Sequence, residues 1–105
     1  MILNDQKALD VLLTGLTHVL PMGEGEAFIY YQNGGRAEMS LPDGTRRTGV
    51  WRIIADGYHV DWQGGPSADW RLDIEPGRIA YLDAGGVERG IVSRIVPGDA
   101  AGLAA

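Results

Sequence analysis

A chain of 105 residues, 45% hydrophobic and 22% charged, has the size and composition of one folded domain, too short for two cores and too apolar for disorder. Its formal net charge is -5 and its longest basic run is Arg46-Arg47, so no cationic surface follows a phosphate backbone and nucleic acid is excluded as a partner. The chain lacks cysteine, which removes disulfide and thiolate chemistry, and it has no apolar stretch long enough to cross a bilayer.

The opening MILNDQKALD has neither the basic region nor the apolar run of a secretory signal. With Met1 taken as the start, the expectation is a cytoplasmic protein with no membrane partner. From Asn4 to Leu20, leucines at 9, 12, 13, 16 and 20 follow the i, i+3, i+4, i+7 spacing of an amphipathic helix, with Asn4 or Asp5 as N-cap and Pro21 and Gly23 as its end. After GEGE the pattern changes to short runs: EAFIYYQN, RAEMSL, TRRTGVWRIIA, YHVDWQ, DWRLDIE, RIAYLD and VERGIVSRIV. They are separated by NGG, PDG, DG, GGPSA, PG and AGG, where most of the 16 glycines fall. This predicts a mainly β domain: an N-terminal helix over about 4–20, then an antiparallel meander of about seven strands over about 26–96. The meander forms a small barrel or a strongly curved sheet. Residues 97–105, PGDAAGLAA, carry little apolar mass and are expected to fray.

Turn chemistry suggests a register. A two-residue turn at Asp56-Gly57 pairs Ala55 with Tyr58, which sets Trp51 opposite Trp62. If Gln63 then pairs with Asp69, Trp62 faces Trp70, and the three tryptophans form one row. The opposite face carries the row Arg52, Asp61 and Arg71. A three-residue loop at Leu41-Pro42-Asp43-Gly44 brings Ala37, Met39 and Leu41 onto the tryptophan face, where Phe28 and Tyr30 are also placed.

The rings on this face either fill a core or line a pocket. Small barrels can fill themselves with side chains, which favours the core, but tyrosine and tryptophan place their polar atoms best near a rim, which keeps the pocket open. The candidate ligand residues are Tyr30, Trp51, Tyr58, Trp62, Trp70 and Tyr81. A second apolar set, Ile29, Tyr31, Val50 and Ile54, falls on the other face; it and the helix's leucine stripe, which also needs a partner, either cover each other or form the candidate interface for a homodimer or another protein.

Other chemistry is thin. His59, beside Asp61 and set opposite Asp73, reads as a cross-strand ion pair, because a zinc site needs more nitrogen or sulfur donors than this region supplies. His18 reads as solvated on the helix's polar side. Glu38, Asp61, Asp73 and Glu75 are interleaved with arginines and read as charge balance. GEGEAF lacks the third glycine of a dinucleotide fingerprint and leads into a strand. No serine or threonine has a histidine whose position suggests a base, so neither a catalytic set nor a cofactor or metal site is expected.

A helix-flanked meander in which Gly49-Val50-Trp51 opens a strand is similar to the calycin-type barrels, the lipocalin and avidin group. The resemblance covers residues 26–96 at the level of architecture. It implies a barrel with a hydrophobic ligand inside and carries over no ligand residue, since Gly-x-Trp stands here in the third strand rather than near the first. Two functions therefore stand side by side: a non-catalytic barrel binding a hydrophobic small molecule on its tryptophan face, and an interaction module in which the tryptophans are core.

Overall fold

The run of apolar, turn-bounded segments folds as expected into antiparallel strands in a computed structural model that describes residues 1–104; Ala105, the last residue of the predicted tail, lies outside the described residues. The elements in chain order are β1 (Ile2–Leu3), α1 (Gln6–Leu13), β2 (Leu16–Met22), β3 (Gly25–Tyr31), β4 (Arg36–Ser40), β5 (Arg46–Ile54), β6 (Gly57–Trp62), β7 (Ser67–Glu75), β8 (Arg78–Leu82), β9 (Glu88–Val92) and β10 (Arg94–Pro97). Each of the seven predicted stretches contains a strand. The additional strands are β1, β2 and the division of the last stretch into β9 and β10. The sheet order is β10-β2-β3-β4-β5-β6-β7-β8-β9, with β1 added beside β7. Only Ser93 separates β9 from β10, and its backbone N–H and its hydroxyl both donate to the Val19 carbonyl, at 2.8 and 2.9 Å. One bent segment thus pairs with β8 by its first half and with β2 by its second, and the meander curls into a nearly closed barrel.

The helix is shorter than its leucine pattern predicts. Asp5 caps it by accepting from the Lys7 N–H at 3.2 Å, and Gly15, at φ +75°, ends it after Leu13. Leu16 and Leu20 lie four residues apart, a spacing in phase with both a helical face and a strand face. Past Gly15 the strand period takes over: Leu16, His18 and Leu20 turn inward, while Thr17 and Val19 lie on the opposite face and are wholly buried there as well. Helix α1 then closes one end of the barrel, with Leu9 and Leu13 wholly buried in the core and the Gln6 amide donating to the Ile54 carbonyl at 3.1 Å.

The strand pairings correct the predicted register. Between β5 and β6 the two-residue turn is Ala55-Asp56, and Ile54 pairs with Gly57. Gly57 serves packing rather than the turn, since a Cβ there would collide with the Trp70 carbonyl. Between β6 and β7 the turn is Gln63-Gly64-Gly65, with Gly64 at φ +70°, and Asp61 pairs with Ser67. Both slips are by an even number of residues, so every side chain keeps its predicted face but changes its neighbour. Trp51 lies opposite Val60, Trp62 opposite Gly49, and Trp70 opposite Tyr58; the tryptophan row does not form. On the outside, the row is Arg52, His59 and Asp69, while Arg71 pairs with Asp56 at 2.7 Å.

In β3 the faces are reversed from the prediction. Tyr31 pairs with Ala37 across a turn in which Gly34 and Gly35 both have positive φ, and this turns Ile29 and Tyr31 into the core and Phe28 and Tyr30 outward. Residues 98–104, predicted to fray, are instead laid across the barrel's outer face. The Thr17 hydroxyl donates to the Gly98 carbonyl at 2.6 Å and accepts from the Ala100 N–H at 3.1 Å. Leu103 is buried, its N–H donates to Asp99, and Arg46 donates to its carbonyl at 2.9 Å.

Candidate functional site: the open end of the barrel

Because α1 fills one end, the interior divides along its length. At the closed end, Trp51 donates from its indole N–H to the Gln32 carbonyl at 3.0 Å and meets Tyr31 edge-to-face with ring centres 5.5 Å apart. Beside it lies a chain of buried polar atoms. His18, predicted to be solvated on a helix, is fully buried in β2 and reaches both the Leu12 carbonyl (Nε2, 2.7 Å) and the Tyr81 hydroxyl (Nδ1, 2.6 Å). The Tyr31 hydroxyl lies 3.0 Å from that of Tyr81 and 3.3 Å from that of Tyr58.

The direction of every bond in this chain follows from its one pure acceptor. A carbonyl only accepts, so the His18 Nε2 carries a hydrogen and donates to Leu12. Burial drives the imidazole pKa down to about 4, against the smaller upward pull of the Leu12 bond, so the ring is neutral and Nδ1 accepts from Tyr81. Tyr81 must then accept from Tyr31, and Tyr31 from Tyr58. The phenols stay protonated: burial pushes Tyr31 up to about 12, and Tyr58 and Tyr81 well above the ordinary tyrosine value. Every hydroxyl donor in the chain is committed internally, so these tyrosines offer none to a ligand.

Toward the other end the interior is not filled. A cavity of about 320 Å³ opens between the β2–β3, β4–β5 and β6–β7 turns. Ile29, Val60, Trp62 and Trp70 line it, the rings of Tyr31 and Tyr81 bound it inside, and Met22, Pro66 and Arg47 stand at its mouth. The volume is near the lower end of the roughly 300–1,000 Å³ range of small-molecule pockets. Trp62 lies opposite Gly49, where a Cβ would collide first with the Asp61 backbone carbonyl and also press on the indole at 3.0 Å. The glycine of Gly49-Val50-Trp51 makes room for the backbone of the neighbouring strand and for the ring it carries.

Of the predicted ligand residues, the cavity gathers Trp62, Trp70 and Tyr81. Trp51 and Tyr58 belong to the filled end, and Tyr30 points outward. Of the predicted interface set, Ile29 and Tyr31 are inside the barrel, Val50 is exposed and Ile54 half-buried. Sequence reasoning missed Arg47 as a lining residue. Its signal was present, since counting back by twos from Trp51 through Gly49 places residue 47 on the same inward face.

The outer face carries the ion pair predicted at His59, with a different partner. Nδ1 lies 2.6 Å from Asp69 and Nε2 2.9 Å from Asp61, and these two carboxylates, Asp69 first, hold the imidazole pKa above its ordinary value. No group of three or more metal-ligating side chains occurs among the described residues. No helix among them is long and apolar enough to cross a membrane. No protein-family model, no curated protein and no solved structure matches this chain.

Proposed function

We propose that this protein binds a small hydrophobic molecule, without catalysis, in the open end of its barrel, in the manner of the calycin-type barrels it resembles. The observation that supports this reading is the uneven filling of the interior: close-packed aromatic core at the helix end, and an apolar cavity of about 320 Å³ at the other. Burying a ligand's apolar surface there contributes about 25 cal/mol per Å² before the costs of association. The competing reading, an interaction module using the second apolar set, has less support because Ile29 and Tyr31 are buried inside.

The test uses octan-1-ol as a neutral probe and the emission of Trp62 and Trp70 as the signal. Ala27 faces the cavity and is 2% exposed, so Ala27→Phe places a ring where the ligand would lie. Octan-1-ol should shift the emission saturably and raise the melting temperature of the parent, and do neither in a folded Ala27→Phe variant. A parent that shows no saturable response, or a variant that responds equally, would overturn the reading.

A further inference from the structure

The cavity has one cation at its mouth, and its surroundings say what that cation is for. Arg47 pairs with Met39 in β5, on the inward-facing series that continues with Gly49 and Trp51. Arg36, Arg71, Arg78, Arg89 and Arg94 each meet a carboxylate, and Arg46 is held by the Leu103 carbonyl. Arg52 is exposed on the outer face. Arg47 is half-buried against an apolar cavity, and among the described residues no carboxylate lies within 4.0 Å of it and no hydrogen-bond acceptor engages it. Its guanidinium lies over Gly65 in the β6–β7 turn, with Nη1 where a Cβ at that position would stand.

From this geometry we infer that the ligand is an amphiphile carrying a single carboxylate, bound with its apolar tail in the cavity and its carboxylate on Arg47. The inference rests on the cavity being the binding site and specifies its chemistry. The tail points inward because the hydroxyl donors of Tyr31 and Tyr81, which bound the cavity on its inner side, are spent on the internal chain and leave no phenol there to satisfy a polar group. The head points outward because Arg47 is the one cation among the lining residues, and a guanidinium meets a carboxylate through two parallel N–H···O bonds. One carboxylate balances one guanidinium; a phosphate would bring a surplus negative charge to a chain whose net charge is already -5. At about 30 Å³ per heavy atom, the share of a molecule in liquid water, the cavity holds about ten heavy atoms. Octanoate is the matching probe.

The experiment compares octanoate, octan-1-ol and octyl phosphate by calorimetry at pH 7 on the parent, Arg47→Gln and Arg47→Lys. Octanoate should bind the parent about tenfold or more tightly than octan-1-ol, the scale of a charge-assisted hydrogen bond. In Arg47→Gln this preference should vanish through loss of octanoate affinity while octan-1-ol binds as before; Arg47→Lys should keep part of it. Octanoate no tighter than octan-1-ol in the parent, or octyl phosphate tighter than octanoate, would overturn the carboxylate assignment and leave the cavity reading standing. Binding of none of the three would overturn both. The comparison on the parent alone decides the matter even if a variant fails to fold.

Discussion

Tyr81 does two things at once: its hydroxyl donates to the His18 Nδ1 at 2.6 Å and accepts from Tyr31 at 3.0 Å. Removing that oxygen orphans a buried acceptor on one side and a buried donor on the other, each costing about 1–3 kcal/mol. Tyr58, at the head of the same chain, only donates, so its removal leaves Tyr31 still donating to Tyr81. Tyr81→Phe should therefore lower the unfolding free energy by about 3 kcal/mol, and Tyr58→Phe by only about 1 kcal/mol, as measured by denaturant titration. Equal losses would show that the bonds do not run from Tyr58 toward His18. The same residues show what the sequence could convey. Alternation along Tyr58, Val60 and Trp62 gives their shared face correctly, and that face survives because the register slips are even. FIYY is apolar on both faces, so nothing in its pattern says which of Tyr30 and Tyr31 points inward; the turn at Gly34 and Gly35 decides it.

Among the elements, strands bounded by clear turn chemistry and their meander order were legible, and the residue register between them was not. Asp56-Gly57 looks like a hairpin turn because glycine suits positive φ. Gly57 is needed instead for close approach to Trp70, and sequence does not distinguish these two uses of glycine. Strand β2 was hidden by leucines whose spacing of four satisfies both periods. The cavity was beyond reach for another reason: its volume is what packing across several strands leaves over, and no single segment carries it. The C-terminal segment shows how few residues can hold an element. Its composition is that of a frayed tail, but Leu103 is 6% exposed, and hydrogen bonds to Thr17, Asp99 and Arg46 fix the chain on either side of it. Leu103→Ala should cost about 2 kcal/mol, the low end of the range for a buried leucine because the edge of a strap can relax. A tail in free exchange with solvent would give no measurable loss.

For the whole molecule, the two histidines act on stability from opposite sides of one pH. In the folded chain burial depresses the His18 pKa to about 4, while in the unfolded chain it titrates at the ordinary value of about 6.5. As pH falls below about 6.5 the unfolded state takes up a proton that the folded state refuses, so stability declines down to about pH 4. The loss over that window is about 3 kcal/mol, because a group protonated in one state only changes stability by about 1.4 kcal/mol for each unit of pH. His59 is shifted the other way by Asp69 and Asp61. Its contribution is fully present below the unfolded value and is lost as pH rises through its raised folded value. Asp43, Asp61 and Asp83 are held below the ordinary carboxylate value, so their contributions are lost only at lower pH still, beneath the His18 window. The unfolding free energy measured against pH should therefore peak near the ordinary histidine value, with His18 on the acid limb and His59 at the start of the alkaline limb, to which the Met1 amino group, raised by Asp73 and Glu75, adds its own loss at higher pH. His18→Gln should flatten the limb between about pH 4 and 6.5, whatever it does to the absolute stability, and His59→Gln should flatten the start of the limb above, leaving the later loss that belongs to the Met1 amino group. An unchanged acid limb in His18→Gln would mean that the ring is not held neutral in the barrel, and with it the assigned direction of the tyrosine chain would fall.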